Sequence, residues 1–260
     1  MFTYNHESFI EEAFHGILKQ KTQYSFKLIA GDDHSTDNTP LIGVKYQSKF
    51  PDLIDFVSNP QNLGMELNGL KTIRRALATG ARYIAFCEGD DYWSDERKLQ
   101  KQVDFLNGHS NINVCSTQFS IFNQLDETMV KDTLLERVGS QLVRIDGAYI
   151  FTLEDSFKYW LTKTVTSMVR SEGLKMNLLE QFEGFRDVHI YATILKDATG
   201  AVLEDYTSVY RVHTGGVWSL LGSQKRLMEA YHVHLQLEEM FKTSDALKRR
   251  LTNMLDRIIQ

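Results

Sequence analysis

Residues 83–91 read Tyr83-Ile84-Ala85-Phe86-Cys87-Glu88-Gly89-Asp90-Asp91, an almost wholly apolar run that breaks into carboxylates. Such a run is what a strand covered on both faces requires. In sheets of that kind, ligands bind at the carboxyl ends of the strands. Three carboxylates within four residues repel one another unless a cation neutralises them. Hard oxygen ligands of this sort suit Mg²⁺ or Mn²⁺, which keep open positions for substrate phosphates. Taken alone, Glu88-Gly89-Asp90-Asp91 reads equally as a solvated acidic turn.

The chain on either side supplies the sheet. Phe9, Ile10, Ala13, Phe14, Ile17 and Leu18 recur at helical spacing and predict a helix from Glu7 to Gln20. Phe26 to Ala30 predicts a short strand ended by Gly31-Asp32-Asp33. Pro40 opens a second helix, Ile54 to Ser58 forms another strand, and Met65 to Thr79 a third helix closed by Gly80. Asp95 to Leu106 is helical again. This alternation predicts an α/β fold, a mainly parallel Rossmann-like sheet with helices on both faces. Asp32-Asp33 and Glu88 to Asp91 each follow a strand, so folding should bring both acidic clusters to one rim.

The second half is more mixed. Val114 to Phe122 and Val165 to Arg170 read as strands, Glu154 to Leu161 and Asp187 to Lys196 as helices, and Thr207 to His213 as extended chain. Beyond Ser219 two amphipathic helices are predicted, Gln224 to Phe241 and Ser244 to Ile259, with Ser244 as a cap. Residues 1–219 are expected to form one domain and 220–260 a C-terminal helical extension.

Bulk properties narrow the partners. Over 260 residues, 42% hydrophobic and 24% charged, the chain is long enough for one large α/β domain. A formal net charge of −5 argues against nucleic acid gathered by a general basic surface, so phosphate-bearing ligands need a local site such as a metal. Cys87 and Cys115 lie in apolar runs and read as buried thiols of a reducing compartment. With no membrane-spanning run or signal peptide visible, the expected location is the cytoplasm, or the inner membrane face for a lipid-linked acceptor.

Asp32-Asp33-His34-Ser35-Thr36-Asp37 carries the second chemical signal. A carboxylate at a strand end can accept the N3–H of a uracil or thymine ring, which cytosine lacks. Ser35, Thr36 and Asp37 can cap the following helix. Capping does not account for the two aspartates before them. A lone Asp187 opening a helix reads more readily as a cap than as a base, and a lone His213 as structural. Lys248-Arg249-Arg250 reads as a solvated face before it reads as a membrane or partner contact.

Thr3-Tyr4-Asn5, Asp32 to Asp37, Asn62-Leu63-Gly64 and Glu88-Gly89-Asp90-Asp91-Tyr92-Trp93 together resemble, in order and spacing, the family 2 glycosyltransferases. The likeness looks closest to bacterial members that build surface polysaccharides. It runs on through Lys98-Leu99-Gln100-Lys101-Gln102, Asp187 and Tyr210-Arg211-Val212-His213-Thr214-Gly215-Gly216-Val217-Trp218, covering residues 2 to 219. The resemblance implies the GT-A fold, a nucleotide-sugar donor with uridine as the default base, a glycan or lipid-linked acceptor, and inversion at the anomeric centre. It implies a nucleotide pocket lined by Thr3, Tyr4, Asp32, Asp33, Asn62 and Gly64. Glu88, Asp90, Asp91 and Trp218 would face the donor diphosphate and sugar, with Asp90 and His213 on Mn²⁺ or Mg²⁺. Asp187 would be the general base. Glu88 stands where the family often has Asp, and Phe185-Arg186-Asp187-Val188 departs from the more usual Gly-Asp-Trp.

The family's first strand normally precedes the segment matching Thr3-Tyr4-Asn5, whereas only Met1-Phe2 stand there in this sequence. The first strand is therefore expected to be missing or truncated. Besides an active transferase, the sequence admits a catalytically weak sugar-nucleotide-binding protein of the same fold. It also admits a metal-dependent phosphohydrolase, or a scaffold that dimerises through its C-terminal helices.

Overall fold

A computed structural model describes residues 1–216 and 222–259. The first half alternates as its hydrophobic pattern requires: Phe2–Thr3 (β1), Ile10–Leu18 (α1), Leu28–Asp32 (β2), Thr39–Lys49 (α2), Ile54–Ser58 (β3), Gly64–Ala78 (α3) and Tyr83–Ala85 (β4). Helix α1 buries Ile10, Ala13, Phe14 and Ile17 along one stripe. Pro40 stands in the first turn of α2, where its missing N–H is harmless. Strands β1, β2 and β3 pair in parallel.

The second half continues through Tyr92–Trp93 (β5), Lys98–Gly108 (α4), Ile112–Asn123 (β6), Thr128–Lys131 (β7), Leu134–Val138 (α5), Val143–Ile145 (β8), Ala148–Phe151 (β9) and Leu153–Lys158 (α6). Met168–Arg170 (β10), Met176–Leu179 (α7), Asp187–Leu195 (α8), Thr199–Val212 (β11), Ser223–Met240 (α9) and Asp245–Ile259 (α10) complete it. A mixed sheet runs in the order β4-β10-β6-β11-β9-β8, with β6 and β11 parallel. The two sheets meet at β1, where Phe2 bridges to Glu88 in parallel. The segment expected from Thr207 to His213 is the far end of β11, which register shifts between Leu203 and Ser208 interrupt.

Strand β1 spans only two residues. The Met1 amine donates to Ile29 O at 2.8 Å, and behind it, between β2 and β4, lies a cavity of ≈ 720 Å³. Leu28, Ile29, Ile73, Ile84, Ala85 and Met168 are among its walls. Strand β4 is hydrogen-bonded to β10 on its other side, and β2 pairs with β1 only at Gly31 and Asp32. The gap is therefore bounded by two unpaired strand edges.

The C-terminal helices turn their apolar stripes inward. Leu237 of α9 and Phe241 just beyond its end, with Ala246, Leu247 and Leu251 of α10, pack against Phe157 of α6 and Val188 and Ala192 of α8. Leu247 N–H donates to Ser244 Oγ at 3.1 Å, so Ser244 caps α10 as expected. A dimer surface expected on these helices loses its main apolar stripe to contacts within the chain. Nor is the basic segment wholly solvated, because Arg250 donates to Phe157 O. No described helix is long and apolar enough to cross a membrane.

One buried histidine, His189, ties this layer to α8, and a second, His234, is buried within α9. Arg186 N–H donates to His189 Nδ1 at 3.0 Å, so His189 Nε2–H is left to donate to Val233 O at 3.3 Å. His234 Nδ1 faces Ala230 O at 2.7 Å. A second proton on His189 would point at an N–H. Burial lowers each ring from 6.5 to about 4.

Two predictions follow from this packing. Because the folded values lie below the unfolded one, the unfolded chain takes up protons first. Stability fully present above pH 6.5 should therefore be lost as pH falls towards 4, on the order of 3 kcal/mol per ring. Urea unfolding of wild type and His189→Gln checks this: the variant should have the shallower slope, and a flat wild-type profile would contradict it. Separately, about five apolar residues fused ahead of Met1 should fill the cavity and raise Tm by about 5 °C or more. An unchanged Tm would defeat that expectation.

Candidate active site

Strand β1 draws both acidic clusters together. Asp33 N–H donates to Thr3 O at 3.0 Å on one side, and Gly89 N–H donates to Phe2 O at 2.9 Å on the other. The two clusters thus flank a single strand, about 10 Å apart at sheet spacing, as expected from their places after strands. Gly89 is required for this approach, since a Cβ there would lie 2.6 Å from Thr3 Oγ1 and 2.8 Å from His6 Nδ1.

On the β2 side, Asp32 and Asp33 have different surroundings. Asp32 is fully buried and accepts from Ser58 Oγ at 2.6 Å, Ser35 N–H at 3.2 Å and Ser35 Oγ. Asp33 Oδ1 accepts from Leu63 N–H at 2.8 Å and Asn59 Nδ2 at 3.3 Å. Its other oxygen has no hydrogen bond among the described residues. Asp32 therefore builds the loop, and Asp33 keeps a free acceptor.

Asn62 Nδ2 holds Asp33 O at 3.1 Å, and Gly64 opens α3 at φ +82°, a left-handed conformation that suits glycine. Tyr4 is 41% exposed, whereas Thr3 is buried with its hydroxyl 3.2 Å from His6 Nδ1. Thr3 thus contributes backbone and packing to the pocket rather than a free hydroxyl. Of the expected caps only Asp37 reaches α2, accepting from Thr39 N–H at 2.9 Å. Ser35 and Thr36 instead lock Asn5, through Asn5 N–H to Ser35 Oγ and Thr36 N–H to Asn5 Oδ1, each at 2.8 Å.

On the β4 side, Asp90 Oδ2 lies 3.1 Å from His213 Nε2 and 3.6 Å from His6 Nε2. Burial opposes the Asp90 charge, but the His213 hydrogen bond and both imidazoles outweigh it and hold the carboxyl below its ordinary value. His6 is a site residue that sequence reading missed; its only signal is its place immediately after Thr3-Tyr4-Asn5. Asp91 is turned inward, 3% exposed, and accepts Arg211 N–H at 2.8 Å. It anchors the loop rather than facing a diphosphate. Arg211 Nε–H also donates to Asp90 O at 2.9 Å, while its guanidinium packs on Phe9, Tyr92 and Phe122.

Glu88 has one buried oxygen, Oε2, without a partner among the described residues. Burial raises its carboxyl to about 7 despite the nearby Thr164 hydroxyl, with Asp90 and Asp187 adding to the effect. Asp187 begins α8 and accepts Val188 N–H at 2.9 Å; burial raises its carboxyl against the opposing charge of Lys163. One turn on, the buried Tyr191 hydroxyl also lacks a partner.

The 163–166 turn that completes this wall is pinned from below. Lys98 Nζ and Gln102 Nε2 of α4 both donate to Thr166 O at 2.9 Å. Sequence reading had no signal for Lys163 or Thr164, which lie about 75 positions from Glu88 with nothing local to mark them. Trp218 lies outside the described residues.

The donor set fits a hard divalent ion. Asp90 supplies an anionic oxygen, His213 and His6 supply nitrogens, and Glu88 has an unused buried oxygen. Among the described residues no three such side chains close a complete cage. An ion that keeps positions for phosphate oxygens and water needs none.

Gly89→Ala should force the 87–89 segment away from Thr3 and His6 and lower stability by about 1–3 kcal/mol. Urea unfolding beside wild type checks this, and unchanged stability would remove the close approach as a requirement.

Residues 1–172 match Glycosyl transferase family 2. An uncharacterized protein of Mycobacterium tuberculosis is 39% identical over 113 residues, 44% of this chain and 32% of that protein, so the match spans about a third of that relative's length. Among solved structures, Staphylococcus aureus TarS 1–349 with UDP-GlcNAc superposes with TM-score 0.70 at 19% identity, over 98% of this chain and 70% of that one. The Pyrobaculum calidifontis mannosyltransferase PcManGT with GDP-Man and Mn²⁺ gives 0.62 at 16%, over 99% and 68%. The mixed α/β sheet, its helices and these neighbours are those of the GT-A fold, and the chain belongs to glycosyl transferase family 2.

Proposed function

We propose that this chain is an inverting, metal-dependent glycosyltransferase that moves a sugar from a nucleoside diphosphate donor to an acceptor hydroxyl in bacterial glycan or polysaccharide synthesis. The observation that carries this reading is the convergence around β1 of the β2 acids, the Asp90–His213–His6 group and the neighbouring Glu88 and Asp187. The UDP-GlcNAc complex of TarS supports uridine as the base, and the Mn²⁺ complex of PcManGT supports a divalent ion.

In this reading the exposed Tyr4 ring lies along the base and the free oxygen of Asp33 accepts its N3–H. Asp90 and His213 hold the ion, with His6 beside them. When bound, the ion supplies charge stabilisation for the departing diphosphate. Asp187 takes the proton from the acceptor hydroxyl as the new bond forms. Its raised affinity for protons suits that task. One base and direct displacement invert the anomeric centre. Asp91 and Arg211 hold the loop in place and do not touch substrate. We assign the transferase domain to residues 1–219, with 220–260 bracing α8, and place the enzyme in the cytoplasm, at the inner membrane face if its acceptor is lipid-linked.

A donor screen with Mn²⁺ tests the reading. Asp90→Ala should lose at least a hundredfold in transfer, about 3 kcal/mol of transition-state stabilisation. Asp187→Asn should bind UDP as wild type does yet transfer no sugar. Full activity in Asp90→Ala would remove the metal role. Binding without turnover in wild type would favour a sugar-nucleotide-binding protein, a reading that the unsatisfied Glu88 in the acidic motif keeps open.

A further inference from the structure

Behind Asp33 stands a chain of three polar side chains, Asn59, Asn68 and Lys71. Asn59, one residue past β3, gives its Nδ2 hydrogens to Asp33 Oδ1 at 3.3 Å and to Asn68 Oδ1 at 3.0 Å. Lys71 Nζ donates to Asn59 Oδ1 at 2.7 Å, and Asn68 Nδ2 donates to Gly31 O at 3.0 Å. Both asparagines are buried, whereas Lys71 stands on the exposed side of α3. Gly31 makes room for the group, since a Cβ there would collide with Thr72 Oγ1 and lie 3.0 Å from Asn68 Oδ1. Buried amides are costly unless paired, and these two are paired with one another and with Asp33.

The polarity of the chain is set from its two ends. An ammonium only donates and a backbone carbonyl only accepts. Lys71 therefore turns Asn59 Oδ1 towards itself, and Gly31 O turns Asn68 Oδ1 towards Asn59. Asn59 is left to present its NH₂ to Asp33. Its backbone is held as well: Asn59 N–H donates to Asp32 O at 2.9 Å, and Asn59 O faces His34 Nδ1 at 3.1 Å. With Leu63 N–H also on Asp33 Oδ1 at 2.8 Å, two donors fix the plane of the carboxylate and leave its other oxygen to a ligand.

We infer that Asn59 and Lys71 are positioning residues for base selection, aiming the free oxygen of Asp33 at the ring N–H that separates uracil from cytosine. This rests on the transferase reading above, in which Asp33 accepts that N–H. Cytosine offers a lone pair at the same ring position. A carboxylate oxygen held in place repels it, whereas one free to swing aside tolerates it, so discrimination depends on the acceptor being fixed. Loosening Asn59 should therefore cost selectivity between bases rather than grip on the diphosphate, which the Asp90 side of β1 provides.

Isothermal titration of the full chain in Mn²⁺ with UDP and with CDP tests this. Wild type should favour UDP by about tenfold or more. Lys71→Met, a change at an exposed position, should cut that ratio by about threefold or more with Tm unchanged. Asn59→Ala should cut it further, and Lys71→Arg, which still donates, should keep it. A ratio unchanged in Lys71→Met and Asn59→Ala would overturn the inference. So would equal weakening of UDP and CDP in both variants, since the chain would then only hold the loop. A wild type that binds UDP no better than CDP would overturn it too while leaving the transferase reading intact. Binding of neither nucleotide would bring down both.

Discussion

The seam along β1 is the constraint on which the site depends. Backbone hydrogen bonds to β2 and its end on one side and to the 87–89 segment on the other fix a strand of only two residues between the acidic clusters. Backbone pairing sets strand spacing regardless of side chains. The separation of the two clusters is therefore a property of the sheet and does not depend on how the carboxylates repel one another. Glycine at position 89 is what lets the acidic loop lie against Thr3 and His6 at that spacing.

Around this seam, distant parts of the chain each fix one wall. Lys98 and Gln102 reach under the sheet to hold the Thr166 carbonyl, which gives the Lys98 to Gln102 segment of the family resemblance a physical reason. Lys98 is fully buried without a carboxylate, and burial lowers it to about 7, so its bonds to carbonyl and amide oxygens carry the contact. On the opposite side, His189 joins the start of α8 to α9, which makes the C-terminal helices a brace for the segment that presents Asp187.

Much of this was legible in the sequence because it is periodic or adjacent to strands. The alternation of the first half, the convergence of Asp33 and Asp90 and the capped last helix follow from local patterns. Shifts occurred where pairing, not propensity, sets the limits. Strand β2 extends through Gly31 and Asp32 because β1 and β3 both pair there, and β4 ends at Ala85 because Phe86 and Cys87 bond to different neighbours. Lys163 had no local signal and His6 only its place after Thr3-Tyr4-Asn5, since their significance lies in what folding sets opposite them. The inward turn of Asp91 was equally hidden: adjacent carboxylates look alike until the partner strand supplies an N–H to one of them.

Arg211 holds the acidic loop in one shape ahead of any ligand, gripping Asp90 through its carbonyl and Asp91 through its carboxylate. On the metal-dependent reading proposed above, capture of an ion would then require little ordering of the chain, and the slow step would fall on the incoming cation, which must shed its own hydration water. Exchange of one divalent ion for another would accordingly track how tightly each holds its water.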